Sequence, residues 1–166
     1  MSALFILSAG MLNRLCLYLS VPTLAVLFLY SYTKRFTSLS HIVLGFAIGL
    51  SPLGAWLAVS GEFAIPPILL GSAVMLWIAG FDIIYACQDV DFDRRAQLFS
   101  MPSRWGTGRA LEVSSALHVG TVGLLIGTAW FSQSGPLAYA GIVAVAAILY
   151  WEHRIVGPDD LTRVDV

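Results

Sequence analysis

Asp82, Asp89, Asp91 and Asp93 fall within twelve residues of one stretch, FDIIYACQDVDFDRR (residues 81–95), at the end of the longest apolar run in the chain. On a helix that continues past Asp89, Asp82 and Asp89 lie about 20° apart around the axis, and Asp89 and Asp93 about 40° apart. Asp91 falls on the far side, toward solvent. Asp89 and Asp93 are separated by one turn, a rise of roughly 6 Å. Like charges at that spacing repel, and at a membrane boundary they also lose hydration. A divalent cation relieves both costs. Mg2+ prefers oxygen ligands and takes one or two carboxylates together with substrate phosphates. The spacing therefore suggests a Mg2+–diphosphate site with Asp89 and Asp93 as ligands. The plain alternative is a solvated helix end whose acids pair with Arg94 and Arg95. Asp82 weighs against that alternative, because it sits roughly two turns deeper in apolar sequence, where a charge needs a partner.

The elements that must position these acids are membrane helices. The chain is 58% hydrophobic and 11% charged, with a mean hydropathy of +0.81, whereas a soluble domain carries about 25% charged residues. The apolar residues come in long runs, without the alternation of a barrel strand, so a polytopic α-helical bundle is expected. Polar breaks divide it into six apolar segments, at about 2–13, 15–32, 41–59, 66–88, 110–131 and 136–151. The first is short for a span of about 20 residues. Pro66, Pro67 and Pro136 suit first-turn positions, where a missing N–H costs little. Gly45/Gly49 and Gly123/Gly127 are small-xxx-small pairs that let helices approach closely.

Basic residues give the orientation. Lys34, Arg35, Arg94, Arg95, Arg104, Arg109, Arg154 and Arg163 all fall on one side of a six-span arrangement, and Arg14 alone falls opposite. That side is expected to be cytoplasmic, and it holds the aspartates and a polar loop at about 89–108. The chain reads as a single transmembrane domain over residues 1–166, with the bilayer as a partner and no nucleic-acid partner. Cys16 and Cys87 read as small apolar core residues, and His41 and His118 as structural histidines without a ligand partner at helical spacing. The tryptophans (Trp56, Trp77, Trp105, Trp130 and Trp151) read mostly as interfacial anchors.

Two stretches resemble the UbiA superfamily of intramembrane prenyltransferases. Asp82, Tyr85, Ala86, Asp89, Asp93, Arg95, Ser100 and Gly106 follow that family's second aspartate-rich motif, and YSYTKRFT (residues 30–37) is similar to its Tyr-x-x-x-Lys-Arg-x-Thr segment. The resemblance covers nearly the whole chain and is strongest to the polyprenyltransferases of 4-hydroxybenzoate-type acceptors in quinone biosynthesis. It implies Mg2+-dependent transfer of a polyprenyl group from polyprenyl diphosphate to an aromatic acceptor, in a bacterial inner membrane. It implies Asp89 and Asp93 as metal ligands and Tyr30, Lys34, Arg35 and Arg95 as substrate contacts. Asp82, Tyr85 and Lys34 would be the catalytic groups, with Tyr85 steadying an allylic cation through its ring face.

The sequence departs from the family in three ways. Gln97 stands where the family carries Gly, and Ser31 where Pro is commoner. The first aspartate-rich motif, Asn-Asp-xxx-Asp-xxx-Asp, does not occur. The family fold has about nine helices, of which this chain matches roughly the third to the eighth. The expectation is a piece of such a protein, inactive alone or needing a missing N-terminal segment or chain. A channel or transporter using Asp82 as an ion ligand is the remaining alternative, and it leaves YSYTKRFT and the loop pattern unexplained.

Overall fold

The structure, a computed structural model, describes residues 1–157; Arg163 and the end of the chain from Pro158 lie outside them. The described residues form an all-α bundle: α1 (Ser2–Leu12), α2 (Arg14–Thr33), α3 (Ser40–Ser60), α4 (Ile65–Ala86), α5 (Val90–Arg95), α6 (Met101–Trp105), α7 (Thr107–Phe131) and α8 (Pro136–Ile155). Five helices (α2, α3, α4, α7 and α8) are long and apolar enough to cross a membrane, as an apolar chain that must satisfy its own backbone in lipid requires. The first apolar segment, α1, has only 11 residues.

Local chemistry sets the ends of these helices. The Asn13 side chain accepts from Cys16 N–H at 2.8 Å and so caps α2, while its amide donates to Leu57 O on α3 at 2.7 Å. Gly61 ends α3 in the left-handed conformation, with φ 70°, where glycine carries no Cβ penalty. Pro residues occupy the first turns of α4, α6 and α8, as their missing N–H allows.

Helix α4 lies at the centre, packed on α3 and α7, with α2 against α3 and α8 against α7. Gly45 and Gly49 seat α3 directly on the α4 backbone: a Cβ at Gly45 would collide with Met75 O, and one at Gly49 would lie 2.5 Å from Gly71 O. This is the close approach expected of small residues in lipid. The other glycine pair does not behave this way. Nothing lies within 4 Å of a Cβ at Gly123, and one at Gly127 would meet only a Leu69 methyl at 3.5 Å. The α4–α7 seam instead uses Gly80, whose carbonyl accepts from Ser114 Oγ at 2.8 Å, and His118, which fills the space a Gly80 Cβ would take.

Trp77 is no interfacial anchor; it sits mid-helix in α4, edge-on to Phe81, and its carbonyl pairs with His118 Nε2 at 3.3 Å. Cys87 belongs to the buried cluster with Ile83, Ile84 and Met101, and burial pushes its thiol up to about 11, as suits an inert core cysteine.

The polar stretch at 89–108 is folded. It forms α5 and α6, and Ser100 caps α6 in a reciprocal pairing with Ser103. One expectation is overturned here. Helix α4 does not run on through Asp89: it ends at Ala86, residues 87–89 turn, and α5 starts at Val90.

Candidate functional site

Because the chain turns after Ala86, the three aspartates no longer share one uninterrupted face. Each has its own surroundings. Asp82, on the last turns of α4, is one-third exposed and lines a cavity of about 170 Å3 with Tyr30, Ser31, Lys34 and Ser40. Asp93, on α5, is fully buried, and Lys34 Nζ lies 3.1 Å from its Oδ1. That contact lacks hydrogen-bond geometry, and neither Asp93 oxygen accepts any other hydrogen bond. Asp89 is exposed in the turn, and its carbonyl accepts from Asp93 N–H at 2.8 Å, so the two carboxylates still stand one helical turn apart. Asp91 is exposed, as expected.

Lys34 joins the site. It ends α2, pairs with Asp93 and lines the cavity of Asp82. Its carbonyl also accepts from Phe99 N–H at 2.8 Å, which fastens the segment after α5 to α2.

Behind Asp82 stands a residue whose pairing sequence reasoning passed over. His41 is buried, its Nδ1 is 2.6 Å from Asp82 Oδ2, and its Nε2 is 3.3 Å from the backbone N–H of Met101. An Nε2 that accepts leaves the ring proton on Nδ1, so Nδ1–H donates to the carboxylate. The partners are 41 and 60 positions away along the chain, and no local spacing announces them. Ser40 was passed over too. Its Oγ is buried without a partner, on the wall of the Asp82 cavity.

The remaining sequence-predicted residues are not brought to this cavity. Tyr85 is about half exposed and does not line it. Arg95 is exposed and its Nε donates to Asp91 O at 3.1 Å. Arg35 turns to a different cavity with Arg94 and Arg104.

A buried carboxylate with no hydrogen bond and one partly exposed cation as its partner is undersatisfied, and a divalent cation is the kind of group that completes it. Among the described residues no cluster of three or more His, Cys, Asp or Glu forms a metal cage. Asp89 and Asp93, one helical turn apart, are an aspartate pair of the kind Mg2+ takes together with waters or substrate oxygens.

Alongside the site, the membrane-facing part of the bundle carries a largely apolar groove of about 460 Å3 between α1, α2 and α3, walled by Phe5, Leu12, Leu19, Leu27, Ile48 and Leu57 among others.

Comparison with known proteins adds three findings. The profile of the UbiA prenyltransferase family matches residues 1–165. Two relatives described as 4-hydroxybenzoate octaprenyltransferase are similar in sequence. The one from Cronobacter sakazakii is 31% identical over 149 residues, covering 90% of this chain and 51% of the relative. The one from Edwardsiella ictaluri is 30% identical over 161 residues, covering 93% and 56%. The fold is similar to the apo structure of a UbiA homolog from Aeropyrum pernix K1, with a TM-score of 0.84 and 33% identity over 93% of this chain and 59% of that one. The chain spans about half the length of the curated relatives it matches.

Proposed function

This chain belongs to the UbiA prenyltransferase family, and on that premise we propose that it contributes one aspartate face of a site that moves a polyprenyl group from polyprenyl diphosphate to an aromatic acceptor such as 4-hydroxybenzoate. The observation that carries the reading is Asp93, a buried carboxylate without a hydrogen bond, set one turn from Asp89 and beside Lys34. Asp89 and Asp93 would hold Mg2+, which when bound neutralises the diphosphate and eases its departure.

The other roles belong to this chain's own residues. Lys34, beside Asp93 and on the wall of the Asp82 cavity, would offer a cation to the leaving diphosphate oxygens. Tyr30 and Ser40 present hydroxyls to the same cavity. Asp82, held by the Nδ1–H of His41, presents its second oxygen to the acceptor and receives the acceptor's hydroxyl as a hydrogen bond. The apolar groove of α1–α3 shelters the isoprenoid tail from water. Arg95 and Tyr85 keep their proposed parts, substrate contact and cation support, only if α5 and the end of α4 rearrange around substrate. The aspartate side is proposed to face the cytoplasm, from the basic residues gathered there.

The test is transfer of labelled polyprenyl diphosphate to 4-hydroxybenzoate in membranes holding this chain together with the remainder of the Cronobacter relative. Asp89→Ala and Asp93→Asn are each expected to lower turnover at least a hundredfold; unchanged turnover in both would sink the metal assignment.

A second reading is that the chain is inactive without a further segment or partner chain. It is favoured by the half-length match and by the lack, among the described residues, of a cluster of three or more His, Cys, Asp or Glu that could hold a metal ion. Robust transfer by the chain alone would refute it.

A further inference from the structure

The break at residues 87–89 raises a question of register. Asp82 sits on α4 and Asp93 on α5, with a turn rather than one continuous helix between them. A single helix would set the two carboxylates relative to each other through its repeat. A turn does so only where other contacts hold it. His41 supplies such a contact from a third helix. It lies on α3, is 1% exposed, and has both ring nitrogens engaged. Nδ1 is 2.6 Å from Asp82 Oδ2, and Nε2 faces the Met101 backbone N–H at 3.3 Å.

The Met101 N–H is the first of α6, a donor that finds no partner inside its own helix. The Met101 side chain is buried in one cluster with Ile83, Ile84 and Cys87, at the end of α4. Just upstream, Leu98 N–H is bonded to Asp93 O and Phe99 N–H to Lys34 O, both at 2.8 Å. The segment between Asp93 and Met101 is thus strung between α5, α2 and the His41 ring.

The bond from the ring to α6 is conditional. A neutral imidazole carries one proton. While the Asp82 carboxylate accepts from Nδ1–H, Nε2 is bare and accepts from Met101. A proton on Nε2 would set N–H against N–H, and the start of α6 would lose its partner. The carboxylate selects the tautomer, and the tautomer keeps α6 attached.

We propose that His41 is a positioning residue that registers Asp82 with the α5–α6 segment, through a ring tautomer that the Asp82 carboxylate dictates. Orientation of Asp82 and seating of α6 then form one linked state, and linkage runs both ways. A ring that holds α6 also holds the carboxylate. The part that Asp82 plays toward an acceptor rests on the transfer reading above. The registration does not, and its test needs no substrate, so either can fail without the other.

The experiment uses the full chain in phosphatidylcholine nanodiscs, with nitrogen chemical shifts of labelled histidine for the tautomer and residue-resolved hydrogen exchange for the Met101 amide. In Asp82→Ala, His41 is expected to gain the Nε2–H tautomer, and the Met101 amide to exchange about tenfold faster, as loss of one hydrogen bond implies. Amides at the centre of α4 serve as the internal reference and should not change. Asp82→Asn, whose side-chain oxygen still accepts, is expected to keep both wild-type signatures. His41→Gln places an amide oxygen within reach of Met101 N–H whatever stands at position 82. In that background Asp82→Ala is expected to leave the Met101 amide unchanged.

Unchanged tautomer and exchange in Asp82→Ala overturn the proposal. So does an equal acceleration in the His41→Gln background, which would mean that α4 itself had loosened. A loss in Asp82→Asn as large as in Asp82→Ala overturns it as well, because the accepting oxygen would then not set the ring. Should Asp82→Ala fail to fold, the wild-type protein and Asp82→Asn still decide: an Nε2–H ring in either overturns the registration.

Discussion

Lys34 balances Asp93 and borders Asp82 at the same time. Removing one partner of a fully buried ion pair costs about 3–5 kcal/mol. Lys34 is 36% exposed, so solvent screens part of that and Lys34→Met is expected to cost about 2 kcal/mol. Adding Asp93→Asn to Lys34→Met removes the stranded charge and is expected to restore most of the loss. Denaturant unfolding in detergent of both single variants and the double variant measures the coupling, and additive single losses would exclude the pairing. His41 gives a second residue-scale prediction. Nitrogen chemical shifts of a histidine-labelled sample should show the proton on Nδ1, and His41→Ala should cost about 1–3 kcal/mol by leaving Asp82 and Met101 N–H unpaired. An Nε2–H tautomer would contradict the contact with Met101. The candidate acids were legible in the sequence because they recur at helical spacing. Their surroundings were not, because the partners of Asp93 and Asp82, Lys34 and His41, reach them from other helices.

Helices α3, α4 and α7 were legible as apolar runs, and Pro and Gly marked their ends. The break at residues 87–89 was not. No Gly or Pro interrupts 81–95, and the turn is held by contacts made elsewhere, chiefly Cys87 in the cluster with Met101. The glycine pairs make the same point. Gly45/Gly49 and Gly123/Gly127 look alike in sequence, yet only the first meets a neighbouring backbone. Gly45→Ala is expected to cost about 1–3 kcal/mol by overpacking against Met75 O. Gly123→Ala, facing open space, is expected to be neutral or to stabilise by up to about 1 kcal/mol through helix propensity. Melting temperatures of the two variants separate a packing glycine from a bystander, and equal losses would contradict the α3–α4 seam. At the α5–α6 connection, Gln97→Gly relieves a left-handed non-glycine residue and is expected to add about 0.5 kcal/mol of stability, read as a higher melting temperature.

At the scale of the molecule, the bundle is unevenly filled. One-third of the most apolar window of α4 is buried, against 11% in α2 and 6% in α8. Large apolar side chains on the outer helices are exposed, among them Phe28 and Leu29 on α2 and Val143 and Ile148 on α8. Lipid accepts such surfaces without penalty, so exposure alone does not call for a partner. What it does set is the order of local stability, because a helix with few packed neighbours opens at little cost. Hydrogen exchange in detergent micelles is therefore expected to be slowest at the centre of α4 and markedly faster in α1 and α8. Exchange of α8 as slow as that of α4 would show that its few contacts, Leu149 and the His118–His153 contact at 2.9 Å, hold it far more firmly than their burial suggests. Repeating the measurement with the remainder of a relative supplied in the same membrane separates lipid from protein as the cover of these faces. If further helices belong against α2, its exchange should slow on addition while that of α4 stays the same. If lipid is its cover, neither should change.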